Sequence, residues 1–72
     1  MWLKLTLFDD RLIRVNMAYI DFYYDELDED RKPTGMRVVE KDGQCNVVKE
    51  TCEQIDDALS NPNSPLRLVK GW

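Results

Sequence analysis

The strongest constraint on the fold is an alternation of apolar and polar residues near the start of the chain. Leu3, Leu5 and Leu7 occupy every second position, and Ile13 and Val15 repeat this spacing after a polar break at positions 9 and 10. Successive side chains of a β-strand point to opposite faces of a sheet, so this alternation is typical of strands with one buried face. The segment therefore predicts a β-hairpin.

An aromatic segment follows and predicts a third strand. Residues 19–24 are rich in the aromatic side chains that strands favour, and simple alternation places Ile20, Phe22 and Tyr24 on one face. Residues 25–34 contain five carboxylates and few apolar side chains, and this composition predicts a loop.

A second hairpin and a helix are predicted in the rest of the chain. Asp42-Gly43 tolerates the two positive φ angles of a type I′ turn between two strand-forming segments. Thr51 and Gln54 have the spacing of a capping box, which predicts a helix beginning at the next residue after the threonine. Apolar residues then recur at intervals of three and four positions and form one stripe, consisting of Cys52, Ile55, Ala58 and Leu59.

Together these segments predict an α+β fold, in which a small antiparallel sheet of about five strands (two hairpins plus a central strand) carries one C-terminal helix packed on it. A chain of 72 residues builds one modest core, so we expect residues 1–72 to form a single domain. Residues 2–60 make the sheet and the helix. Residues 61–72 form a proline-containing tail that docks on its own fold or on a partner.

The sequence offers little for catalysis or for binding a cofactor. It contains no histidine, and general acid–base catalysis relies on histidine or on a carboxylate pair in a cleft. Cys45 and Cys52 are predicted to be free thiols, because they cannot complete a four-ligand zinc site without a histidine. The acidic residues 25–30 miss the ligand spacing of a calcium loop. We predict a protein that is not an enzyme and binds no cofactor or metal.

The predicted compartment follows from hydropathy and cysteine content. Lys4 and Thr6 interrupt the first apolar segment, so it lacks the continuous core of a signal peptide. No apolar run is long enough to span a membrane, and small secreted domains carry more than two cysteines. We predict a cytoplasmic protein that does not interact with membranes.

Several short motifs resemble the FlbD-type family of small flagellar proteins. They are Leu5-Thr6, Ile13-x-Val15-Asn16-x-x-x-Ile20, Asp42-Gly43 and Val47-Val48-Lys49-Glu50-Thr51. The resemblance implies a small non-enzymatic regulatory protein built from a sheet and a helix, and it carries over no catalytic residue. The chain departs from the family pattern at Glu40 and Asn46, where the family has an apolar and an aromatic residue. The same β pattern is also similar to LytTR-type DNA-binding domains.

The charge of the chain indicates which partners it binds. Fourteen acidic residues against 10 basic residues give a net charge of -4, which disfavours direct contact with nucleic acid. We predict a protein–protein interaction or regulatory module. We also predict a homodimer, because Trp2, Phe8, Tyr19 and Tyr23 exceed what so short a chain can cover.

The predicted partner-binding residues combine apolar contacts with an acidic cluster that steers association. They are Tyr19, Tyr23, Asp25, Glu26, Asp28, Glu29, Asp30, Leu66, Leu68 and Trp72. The alternative function is that of an acidic inhibitor from a phage or mobile element. Such an inhibitor would mimic nucleic acid and occupy the basic groove of a protein that handles nucleic acid.

Overall fold

The computed structural model describes residues 1–68 and has the α+β class predicted from the sequence, with five strands and one C-terminal α-helix. Trp72, a predicted contact residue, lies outside the described residues. A short 3-10 helix, Met17–Tyr19, joins the second and third strands. The elements are β1 (Trp2–Thr6), β2 (Leu12–Asn16), β3 (Ile20–Leu27), β4 (Pro33–Glu40), β5 (Cys45–Val48) and α1 (Cys52–Ser60).

The five strands form two antiparallel sheets, whereas the sequence predicted one. One sheet pairs β1 with β2, and the other has the order β3-β4-β5. The sheets meet at a single bridge between Leu7 and Val48, beside a 2.8 Å hydrogen bond from the N–H of Lys49 to the carbonyl of Thr6. The first half of β1 pairs with the tail, and β5 meets the chain only at Leu7, the residue after β1.

The tail lies along the edge of β1 as far as Leu68. The N–H of Lys4 donates to the carbonyl of Leu66 at 2.7 Å, and the N–H of Leu68 donates to the carbonyl of Trp2 at 3.2 Å. Both leucines are half-buried. The tail therefore adds a short extended segment beside the first half of β1.

All three hairpins of residues 1–68 use the same three-residue loop. In the β4–β5 loop, the N–H of Gly43 donates to the carbonyl of Glu40 at 2.9 Å, and the N–H of Glu40 donates to the carbonyl of Gln44 at 2.7 Å. Gly43 has a φ of 92°, and Asp10 and Arg31 take the same position in the other loops with φ values of 70° and 62°. This is a type I turn followed by one left-handed residue. The type I′ turn predicted for this hairpin is wrong, because only one loop residue has a positive φ.

Strand β3 is longer and less regular than predicted. It includes the first three residues of the predicted acidic loop, which shrinks to residues 28–32. The pairing register shifts between Ile20 and Phe22, where Asp21 is the extra residue of a β-bulge. The bulge reverses the alternation, so Ile20 packs on the core while Phe22 and Tyr24 are exposed. The predicted common face for these three side chains is therefore wrong.

The core draws side chains from both sheets and from α1. Its buried members are Leu3, Leu5, Val15, Met36, Val38, Val48, Ile55 and Ala58. Leu3 and Leu5 of the predicted face of β1, and Ile55 and Ala58 of the predicted helix stripe, are among them. The other members of these two predicted sets pack against the core partly buried: Leu7, Cys52 and Leu59. The N–H of Thr51 donates to Oε1 of Gln54 at 2.8 Å, and α1 begins at Cys52, as the capping box predicted.

Candidate functional site

The β3-β4-β5 sheet turns one face to the core and the other away from it. The register sets two rows of side chains across the second face. We call this surface the outer face; it consists of Phe22, Val39 and Cys45 in one row, Tyr24, Arg37 and Val47 in the next, and Glu26 at one end.

Two exposed aromatic rings dominate the outer face. Phe22 is 50% exposed and Tyr24 is 45% exposed. Their ring centroids are 6.1 Å apart with an interplanar angle of 17°, which is a stacked arrangement. Exposed apolar surface of this kind is typical of an interaction site.

An ion pair on the outer face links Arg37, in the second row, to Glu26 at the end. Nε of Arg37 donates to Oε1 of Glu26 at 2.6 Å, and Nη1 of Arg37 contacts Sγ of Cys45 at 3.6 Å. The hydrogen bond to Glu26 raises the pKa of the Arg37 guanidinium above its ordinary value. The cation of this face is thus matched by a carboxylate of the neighbouring strand, and the rest of the face is aromatic or aliphatic except for the thiol of Cys45.

Phe8 extends the apolar surface beyond the ion pair. A β-carbon at Gly35 would lie 2.7 Å from Cζ of Phe8 and 2.5 Å from the carbonyl oxygen of Val48. The ring of Phe8, which is 51% exposed, therefore lies directly on Gly35, the partner of Glu26 in the sheet register. Only glycine leaves room for this contact.

The inner side of β3 is fastened to the beginning of α1. The hydroxyl of Tyr23 donates to Oδ1 of Asp56 at 2.6 Å, and the N–H of Cys52 donates to Oδ1 of Asp25 at 2.8 Å. The hydrogen bond to Asp56 raises the pKa of Tyr23 to about 12. Tyr23 is half-buried against the core and does not share an uncovered face with Tyr19, in contrast to the sequence prediction.

The thiol of Cys52 is not activated for nucleophilic chemistry. Burial, followed by the hydrogen bond with Asp25, raises the pKa of Cys52 to about 11, although a helix N-terminus alone would lower it. Cys45 is exposed, and both cysteines are free. Among residues 1–68, no three histidine, cysteine, aspartate or glutamate side chains are arranged to hold a metal ion.

The five acidic residues of the predicted cluster take separate positions. Asp25 lies on the inner side of β3 and Glu26 on the outer face. Asp28 closes the β3–β4 loop, because its Oδ1 accepts the backbone N–H groups of residues 30 and 32 at 2.9 Å each. Glu29 and Asp30 lie exposed at the loop tip. They share one hairpin but not one surface.

The other predicted contact residues lie apart from the outer face. Tyr19 is 65% exposed in the 3-10 helix, next to the β4–β5 loop, where its carbonyl accepts the N–H of Lys41 at 2.9 Å. Leu66 and Leu68 lie along β1. The structure therefore does not gather the predicted contacts into one site.

The sequence did not indicate that Phe22 and Tyr24 are exposed together on the outer face. Two aromatic residues two positions apart do share a strand face, and that signal was present in the sequence. Simple alternation from Ile20 placed Phe22 and Tyr24 on the same side as Ile20, which packs on the core. The hydropathy pattern does not reveal the bulge at Asp21 that reverses this alternation.

No protein-family model, curated protein or solved structure matches the chain. The resemblance to FlbD-type proteins therefore stays a prediction, and no residue role is transferred from that family. Within residues 1–68, no helix has the length and apolar character needed to cross a membrane.

Proposed function

We propose that the protein is a non-enzymatic protein-binding module and that the outer face is its binding surface. The observation that carries this proposal is the stacked pair of Phe22 and Tyr24, each about half exposed on a strand. Aromatic side chains bury a large area on binding and lose few rotatable bonds, so they are frequent among the residues that dominate interface energies.

The strand that carries these rings is held on both sides. On the inner side, Tyr23 and Asp25 bond α1; on the outer face, Glu26 pairs with Arg37. A surface that is already ordered loses little conformational entropy when a partner binds. The geometry therefore supports recognition by a preformed surface.

The test places a photocrosslinking phenylalanine analogue at position 22 of the full chain and captures the contacting protein in host lysate. The affinity of that protein for purified wild type, Phe22→Ser and Leu12→Ser is then measured. Leu12 is a matched control, because it is an exposed apolar strand residue, 61% exposed, on β2. We expect Phe22→Ser to weaken binding by about tenfold or more and Leu12→Ser to leave it unchanged.

Equal losses for the two variants would overturn the outer face as the binding surface. Light scattering tests the predicted homodimer. If the wild type has twice the mass of the 8.5 kDa chain and Phe22→Ser has the mass of a monomer, the partner is a second copy. We propose the cytoplasm as the compartment, and the free state of both cysteines supports this.

The alternative function, an acidic mimic of nucleic acid, stays a prediction without a specific observation in its favour. Asp25, Glu26 and Asp28 accept hydrogen bonds from the chain itself. Captured proteins that handle nucleic acid, with binding unaffected by Phe22→Ser, would favour the mimic.

A further inference from the structure

Strand β3 has one edge without a neighbouring strand. It is the outer strand of the β3-β4-β5 sheet, it spans eight residues, and no other strand in residues 1–68 pairs with its second edge. Such an edge presents backbone N–H and C=O groups that can pair with another extended chain. Lysine and proline, which protect many natural edges, are absent from β3. The pairing register with β4 shifts at both ends of the strand, between Ile20 and Phe22 and between Glu26 and Leu27, and residues 22–26 between these shifts pair regularly.

The segment around this edge carries the net charge of the whole chain. Residues 20–32 contain six acidic and two basic side chains, whereas the rest of the sequence contains eight of each. Asp56 of α1 adds a further carboxylate beside β3 through its bond with Tyr23. A concentrated negative potential speeds and orients association with a cationic surface.

We propose that β3 binds an extended, cationic segment of a partner protein, which joins the sheet as an additional strand beside β3. This inference rests on the proposed function and names the chemistry of the partner. Backbone hydrogen bonds to the free edge supply affinity, and lysine or arginine side chains meet the acidic segment. Cationic side chains on the outer side also lie within reach of the exposed rings of Phe22 and Tyr24.

A second copy of β3 fits this edge poorly. An antiparallel pair centred on Tyr23 would set Asp21 of one copy opposite Asp25 of the other. Registers centred on Phe22 or Tyr24 set no two carboxylates directly opposite, but every register brings together two copies of residues 20–32, each with six acidic and two basic side chains. Repulsion between two acidic segments opposes their pairing, so the charge of the edge favours a cationic strand over a second copy.

The test titrates the full chain against a fluorescein-labelled peptide of alternating lysine and valine, about ten residues long, and follows fluorescence anisotropy. The control peptide has the same side chains and charge but N-methylated amides at alternate residues, so one of its edges cannot donate hydrogen bonds. We expect saturable binding of the first peptide that weakens as salt is raised, and at least about tenfold weaker binding of the control.

A matched pair of variants locates the peptide on the chain. Asp21→Asn removes one negative charge from β3, and Asp57→Asn removes one from α1, where Asp57 lines a groove with residues 64–66 of the tail. We expect Asp21→Asn to weaken peptide binding about threefold or more and Asp57→Asn to leave it near the wild-type value.

The inference is overturned by no binding, by equal binding of the two peptides, or by equal effects of the two variants. These failures are distinct from failure of the proposed function. If the peptide does not bind but Phe22→Ser still weakens the captured partner, the outer face is the binding surface and strand addition is wrong. If neither experiment gives its expected result, both proposals fall.

Discussion

The hydroxyl of Tyr23 donates a 2.6 Å hydrogen bond to Oδ1 of Asp56, and this bond fastens β3 to α1 across 33 positions of the sequence. Oδ1 of Asp25 accepts the N–H of Cys52 at 2.8 Å at the beginning of the same helix. The strand that presents two aromatic rings outward is thus anchored inward by alternate residues. These two hydrogen bonds attach α1 to the strand whose opposite side forms part of the outer face.

Folding stability should fall at alkaline pH through Tyr23 and Cys52. The hydrogen bond to Asp56 raises the pKa of Tyr23 from 10.0 to about 12, and burial raises the pKa of Cys52 from 9.0 to about 11. Each group holds its proton more tightly in the folded state, so the unfolded chain releases protons first. The free energy of unfolding therefore decreases as pH rises from about 9 to about 12. Urea unfolding followed by circular dichroism across this range measures the decrease.

The variant Tyr23→Phe isolates the contribution of the phenol. It should lower the free energy of unfolding at neutral pH by about 0.5–1.5 kcal/mol, because Asp56 loses its donor. It should also flatten the alkaline decrease above pH 10, the ordinary pKa of tyrosine. Tyr19→Phe, at a residue 65% exposed, is the control. An alkaline decrease in Tyr23→Phe as steep as that of the wild type would contradict the assignment.

Replacing Arg31 with glycine should stabilise the protein. Arg31 has a φ of 62°, a left-handed conformation that costs a residue with a β-carbon about 1–2 kcal/mol. Glycine avoids this cost but gains entropy when unfolded, so we expect a net increase of about 0.5–1 kcal/mol in the free energy of unfolding. Lys32→Gly removes the same charge at a position without positive φ, and it should lower the free energy of unfolding. Urea unfolding distinguishes them, and shifts of the same sign would refute the argument.

Gly35→Ala should be among the most damaging changes in the sheet. The new methyl group would meet the carbonyl oxygen of Val48 at 2.5 Å and the ring of Phe8 at 2.7 Å. Because Val48 also bridges the two sheets through Leu7, the backbone has little freedom to move away. We expect a loss of about 1–3 kcal/mol in urea unfolding.

A second variant separates the two collisions at Gly35. Adding Phe8→Ala to Gly35→Ala removes the contact with the ring but not the contact with the carbonyl. The double variant should therefore lose less free energy of unfolding than the two single variants lose together. Gly43→Ala is the contrasting change: nothing lies within 4 Å of the new methyl group, and its φ of 92° supplies the strain. Strict additivity of the first two changes would show that Phe8 does not press on Gly35.

The features that the sequence predicted are those that repeat locally. Leu3 and Leu5 on one face of β1, and Ile55 and Ala58 on one face of α1, follow from burial combined with the period of the element. The helix start at Cys52 follows from the capping box, which spans four residues. Each of these signals is complete within a short window of the chain.

The features that escaped prediction depend on distant residues. Division into two sheets depends on the register in which Leu7 faces Val48: residues 49–52, which would continue β5 along β1, instead lead into α1. The acidic residues Asp25 and Glu26 sit in a strand because the N–H of Cys52 and the side chain of Arg37 satisfy them. The outward direction of Phe22 depends on a single bulge. None of these partners can be identified from local pattern.

Arg67 should be the main link between the tail and the helix. Its Nε donates to the carbonyl of Ala58 at 2.7 Å and its Nη2 to the carbonyl of Leu59 at 2.8 Å. The last turn of α1 has no basic residue of its own, and the final carbonyls of a helix lack partners within the helix. The guanidinium therefore completes the end of α1 from outside it.

Arg67→Ala should lower the free energy of unfolding by about 1.5–3 kcal/mol, because two partly buried bonds to a charged donor are lost. Arg67→Lys keeps the charge but not the planar fork, so it should fall between alanine and the wild type. Hydrogen exchange should speed up in the last turn of α1 and stay unchanged in β4. Lys41→Ala, an exposed change in a hairpin loop, is the control. If Arg67→Ala matched that control in both measurements, the tail would rest on β1 without supporting the helix.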